Sequence, residues 1–187
     1  MSPHWRNGDH GYGVVTKSLH WLTVVLLATQ LLVGYSLTRS DDLLEPVVDR
    51  LWGGAEGRLV LVHVALGGAI LILAAARLAW RVTTPLPPWA EGLSAVERRV
   101  AHRVEQVLYA SLFLAPVTGI GLVTLTGEDW DLPGGEWTTP WDLVDDDLVL
   151  GAHIATHVLL YLAVTVHVGL VLKHQLVDRD RLLRRML

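Results

Sequence analysis

Four long apolar stretches, at residues 19–37, 59–80, 107–125 and 148–172, constrain this chain more than any other feature. Each is close to the ~20 residues that cross about 30 Å of hydrocarbon at about 1.5 Å of helical rise per residue. Inside a bilayer the backbone must satisfy its own hydrogen bonds, which leaves the helix as the form open to stretches of this length. The chain is therefore expected to be an all-α membrane protein, a bundle of four transmembrane helices forming one domain over residues 1–187. The first stretch lacks a small-residue cleavage site and carries a histidine inside its apolar run, so it reads as a span rather than a cleaved leader.

The charges between the stretches set the orientation. Arg6 and Lys17 precede the first stretch; Arg81, Arg98, Arg99 and Arg103 lie between the second and third; Lys173, Arg179, Arg181, Arg184 and Arg185 follow the fourth. By the positive-inside rule these segments face the cytoplasm, and both termini with them. The connection after the first stretch has Arg39, Arg50 and Arg58 among five acids. That after the third has eight acids and no Lys or Arg. These two face outward. Trp21 and Trp80 fall at inner helix ends, and Trp52, Trp130, Trp137 and Trp141 in the outer loops, as interfacial anchors should.

What the chain lacks narrows its chemistry. With no cysteine it can form neither a disulfide, nor a thiolate metal site, nor an iron–sulfur cluster, nor a covalent haem attachment. With no lysine-rich run to track phosphates, nucleic acid is excluded as an expected partner. Membrane lipid is the partner its composition requires. The proline-rich loop between residues 83 and 89 fixes a turn, Ser94 and Glu97 resemble a capping box opening the third helix, and Pro116 followed by Gly119 and Gly121 suggests a local kink within it.

Nine histidines remain, and their depths matter more than their number. An ionisable group inside a span is costly and needs a partner. His153 and His167 are 14 residues apart, about 21 Å of helical rise and about 40° short of whole turns, so they share one face at opposite depths. The first helix runs outward, which puts His20 at the depth of His167; the second runs inward, which puts His63 at the depth of His153. Zinc would want three or four ligands converging at one point. Haem iron takes one axial ligand from each side, so two levels with two histidines each fit two non-covalent bis-histidine haems.

Neighbouring residues bear on this reading. Gly34, Gly67, Gly68 and Gly169 leave room for a macrocycle, or for close helix packing. Arg77, 14 residues after His63 and on nearly its face, either pairs with haem propionates at the inner level or extends to the headgroups. His157, one turn after His153, is its rival as outer ligand. His174, two turns after His167 at the inner surface, suits proton exchange. His102 is a weaker candidate, and His4 and His10 have no expected role.

Several segments together resemble the bacterial cytochrome b561 family. They are Ser18-Leu19-His20-Trp21, the run from Val62 and His63 to Gly67, Arg77 to Arg81 leading into the proline-rich turn, and Ala101-His102 ahead of Tyr109. Pro116 to Gly119, the series His153, His167 and His174, and the tail from Asp180 to Met186 complete the set. The resemblance runs from about Tyr12 to the end. It implies a dihaem protein of the bacterial inner (plasma) membrane that exchanges electrons with quinone. His20 and His167 would ligate the inner haem b and His63 and His153 the outer one, with quinone near His174 and Arg77.

Some members of that family oxidise superoxide at the outer face and others serve as cytochrome subunits of dehydrogenases. The expected function is thus electron transfer between an outer-side donor and the quinone pool, either as a quinone oxidoreductase of the superoxide oxidase type or as a non-catalytic conduit for a partner. Against superoxide stands the acidic outer loop, which repels an anion and attracts a basic redox protein. Local arginines such as Arg39, Arg50 or Arg58 could nonetheless line an anion's entrance.

Overall fold

A computed structural model of the chain describes residues 4–9, 11–38, 56–89, 92–132, 134–180 and 182–187; the side chains of residues 56, 57 and 131 lie outside that description. His10, Arg39, Arg50, Trp52 and Arg181 also lie outside the described residues. Four helices long and apolar enough to cross a membrane are present. They are α1 (Val14–Thr38), α2 (Glu56–Thr83), α3 (Ala95–Leu125) and α4 (Asp146–Leu172). Successive helices pack in turn, α1 on α2, α2 on α3, and most extensively α3 on α4.

The helix ends follow from local chemistry. The capping box opens α3 as the sequence predicts: Ser94 Oγ accepts from Glu97 N at 3.2 Å, and Ser94 N donates to Glu97 Oε2 at 2.9 Å. The helix then runs unbroken through Pro116. Asp145 caps α4 by accepting from Leu148 N at 3.1 Å, and Asp146 and Asp147 complement the helix dipole in its first turn. Within the spans, hydroxyls bond back to their own helix: Thr23 to Leu19 O, Thr29 to Val25 O, Thr156 to Ala152 O and Thr165 to Tyr161 O. Each is thereby satisfied without water.

The buried core is thin, because each helix gives much of its apolar surface to lipid. Val33 of α1 meets Leu59 of α2, while Ile70, Ala74 and Leu112 join α2 to α3. Without a strong hydrophobic drive between helices in lipid, close packing and polar contacts hold such a bundle.

The segment before α1, the segment after α4 and the α2–α3 loop lie at one end. Asn7 Nδ2 donates to Pro85 O at 3.2 Å, Trp21 Nε1 to Met186 O at 2.7 Å, Lys17 Nζ to Leu187 O at 2.7 Å, and Arg185 to Pro88 O at 2.7 Å. Gly13 is required here, since a Cβ would stand 2.5 Å from the Arg6 backbone. Beyond α4 the chain widens into a π-helical turn (Lys173–Asp178) and ends in a short 3-10 turn (Leu182–Arg185).

Among the described residues, the opposite end carries a departure from an all-helical chain. Two short antiparallel strands, β1 (Asp129–Leu132) and β2 (Gly135–Thr138), pair with Trp130 opposite Trp137. Gly134 and Gly135, at φ of 111° and 132°, supply the turn that an L side chain would strain. The hairpin packs β1 against α2.

Candidate functional site

The described structure brings together the two histidine pairs that depth alone suggested. His20 of α1 and His167 of α4 have ring centroids 6.2 Å apart, and so do His63 of α2 and His153 of α4. With a metal–imidazole bond of about 2.0 Å, as zinc shows, and a ring nitrogen about 1.1 Å from its centroid, two imidazoles sharing one metal have centroids about 6 Å apart. The rings are inclined at 56° in the first pair and 78° in the second, and two ligands sharing one metal can lie at any such angle about their common axis.

The His63–His153 pair faces a cavity of about 600 Å³ among all four helices, with Trp130 of the hairpin in its lining. That is ample for a large apolar cofactor. Buried polar atoms without a partner cluster there: Gln30 Oε1, His63 Nδ1, Ser111 Oγ and Trp130 Nε1 all belong to residues lining it. Ser111 has no exposure at all, yet lacks the back-bond its helical neighbours make. Orphaned buried groups are costly, so their concentration on one cavity points to a group that fills it.

The glycines divide. A Cβ at Gly34 would stand 3.0 Å from His63 Cε1, and one at Gly119 would stand 3.1 Å from His153 Cε1, so both histidines need a bare backbone opposite them. Gly68 lines the cavity with nothing within 4 Å of its Cβ position, and Gly169 likewise faces open space. Gly67 lies beside Gln30 Nε2, at 3.5 Å.

The hydrogen bonds to the ligand candidates were not foreseen. Thr118 Oγ1 lies 2.9 Å from His153 Nδ1 and also 2.8 Å from Leu114 O. Gln30 Nε2 donates to His63 O at 3.0 Å and stands 3.2 Å from His63 Nε2. That amide competes for the lone pair a metal would use at His63, and would keep only its bond to the backbone carbonyl once a metal binds. The sequence did carry a signal for Gln30, a lone carboxamide within an apolar span. Thr118 was visible only as part of a short motif. His157 lies edge-on to His153, with centroids 4.4 Å apart, and lines the same cavity.

Beside the other pair, Arg77 is within electrostatic range of both His20 and His167. Its guanidinium lies 5.7 Å over the Tyr109 ring, and no ion pair or hydrogen bond holds it among the described residues. Arg81 is instead paired with Glu105 at 3.0 Å. This leaves Arg77 facing the bundle interior with its donors available to an acidic group.

His174 sits in a different setting. It is buried, with Nδ1 2.6 Å from Asp180 Oδ2 and 3.1 Å from Asp178 Oδ2, and Nε2 3.9 Å from Glu97 Oε1. Lys173 Nζ bridges Glu97 at 2.7 Å and Asp178 at 2.6 Å. The cluster ties the segment after α4 to the start of α3. His102 is more exposed, 3.7 Å from Glu105.

A family model described as prokaryotic cytochrome b561 matches residues 11–187. Cytochrome b561 homolog 2 of Escherichia coli (strain K12) is 26% identical over 185 residues, covering 97% of this chain and 93% of that protein. A protein named probable superoxide oxidase CybB, from Yersinia pestis, is 24% identical over 181 residues, covering 94% and 95% respectively.

Proposed function

The chain belongs to the prokaryotic cytochrome b561 family, electron-transferring membrane cytochromes of the b type, and on that premise we propose that it holds two haems and carries electrons between an outer-side donor and membrane quinone. The observation that supports this best is the repeated 6.2 Å separation of the His20–His167 and His63–His153 rings. The pairs stand at opposite ends of α4, about 21 Å apart along it. Bound haem supplies a one-electron carrier at each level.

The residues divide the work in this reading. His63 and His153 hold the outer haem, and Gly34 and Gly119 give their rings clearance. His20 and His167 hold the inner one, where Arg77 pairs with its propionates. Quinone lies near the inner surface beside Arg77, and His174 serves that site by exchanging protons through its carboxylate neighbours. The end bearing both termini faces the cytoplasm, as its Lys and Arg content favours.

Two donors are compatible with the outer face. Similarity to a protein named as a probable superoxide oxidase favours superoxide. The acidic surface of Glu128, Asp129, Glu136, Asp142, Asp145, Asp146 and Asp147 favours a basic redox protein and the conduit role. Quinone reduction by the isolated chain, supplied with superoxide and then with a basic reduced cytochrome, tests the proposal. Turnover with superoxide supports the oxidase; reduction only by the protein donor supports the conduit; failure of quinone to reoxidise the chain with either donor refutes both.

A further inference from the structure

The two histidine levels differ in what surrounds them. At the outer level, Thr118 Oγ1 has one proton and lies 2.8 Å from Leu114 O and 3.0 Å from Ala115 O. With its proton given to one of these carbonyls, which only accept, the hydroxyl turns a lone pair to His153 Nδ1 at 2.9 Å. His153 must then donate from Nδ1, which fixes its tautomer and leaves Nε2 as the ligating atom. An acceptor on the far nitrogen makes an imidazole a stronger electron donor to its metal. That stabilises the oxidised metal.

The same level lies under the acidic surface. Asp145, Asp146 and Asp147 are six to eight residues before His153, within about 12 Å along the helix. Negative charge nearby opposes the arrival of an electron. Asp145 and Asp147 are exposed, so water and salt screen part of this effect and the remainder adds to that of Thr118.

The inner level reverses both influences. Among the described residues, neither His20 nor His167 has a ring hydrogen bond. Arg77, over the Tyr109 ring, stands within electrostatic range of both rings and has no ion pair with a protein carboxylate among the described residues, and a haem propionate paired with it would offset only part of its charge. A fixed cation there favours the reduced state.

We propose that Thr118 and Arg77 are positioning residues that set opposite shifts on the two haems, so that the site of His63 and His153 is the harder to reduce and that of His20 and His167 the easier. This rests on the dihaem reading above. An electron delivered at the outer face then lies downhill toward the inner one, and the chain is biased to conduct inward.

Spectroelectrochemical titration of the purified protein tests this, with haem content measured on each sample. Two haems per chain titrating in two steps are expected. The single haem left in His167→Ala, the outer one, should follow the lower step, and that left in His153→Ala the upper. Thr118→Val should move the lower step upward and leave the upper in place, Thr118→Ser should restore it, and Arg77→Gln should move the upper step downward. Fewer than two haems in the wild-type chain would defeat the dihaem reading itself. Two haems with the outer one following the upper step would overturn the proposal alone, as would Thr118→Val and Arg77→Gln proteins that keep both haems and both potentials unchanged. Should Thr118→Val shed its outer haem, the order in the single-haem variants and the Arg77→Gln shift still decide.

Discussion

Gly119→Ala should weaken the outer haem without unfolding the bundle. The new methyl would stand 3.1 Å from His153 Cε1, inside ordinary carbon–carbon contact, and 3.6 Å from its Nδ1, in ordinary contact. The ring has to retreat by a few tenths of an ångström, and the same movement lengthens the 2.9 Å bond to Thr118. Metal–ligand distances tolerate only about 0.2 Å, and loss of an orienting partner typically costs about 10–100-fold in metal affinity. We expect a loss of about tenfold or more, equivalent to about 1.4 kcal/mol. Alanine's better helix propensity, up to about 1 kcal/mol over glycine, acts on the helix and not on the haem, so fold stability should hold or rise. Gly151→Ala on α4 is the control, since nothing lies within 4 Å of its Cβ position. The assay is the rate of haem loss to an excess of a haem-scavenging apoprotein, followed in the visible spectrum. An unchanged rate and unchanged spectrum in Gly119→Ala would show that His153 is not held at the haem as described.

Other expectations follow from the same geometry. His167→Ala should remove one haem and leave the other, whereas His157→Ala should leave both; loss of the outer haem in His157→Ala with retention in His153→Ala would reverse the ligand assignment, as measured by haem content. His174→Ala should slow quinone reduction while both haems stay bound, and unchanged stopped-flow kinetics would remove His174 from that site. Reduction by a basic protein donor should slow as salt shortens the Debye length from roughly 30 Å at 0.01 M to about 10 Å at 0.1 M. Changing Asp145, Asp146 and Asp147 to Asn should flatten that dependence, and a flat response in the unaltered protein would rule out electrostatic steering.

The helices were legible because bilayer thickness dictates both their length and their apolar content. The histidine pairs were legible for the same reason, since residue number along a spanning helix is a measure of depth. The capping box at Ser94 and Glu97 is a local signal and could be read directly. What escaped was set by tertiary placement. The β-hairpin rests on four-residue strands bearing tryptophan and acids, too short for periodicity to register, although Gly134-Gly135 marked a turn. Thr118 lies one turn from its own carbonyl partners, but nothing in the sequence states that His153 faces it across the α3–α4 seam. Trp130 reads as an interfacial anchor by position, yet its indole nitrogen is buried at the cavity. His174 carries no mark of the carboxylates that Asp180 and Glu97 bring from other segments.

The central claim is that two histidine pairs, each with rings 6.2 Å apart, each bind one haem without covalent attachment. Its most direct test is the ratio of extractable haem b to protein in the purified chain, read from the pyridine haemochrome spectrum after acid–acetone extraction. Two haems per chain are expected, all released into the organic phase because there is no cysteine to retain them. One haem or none per chain, or haem left with the precipitated protein, would contradict it.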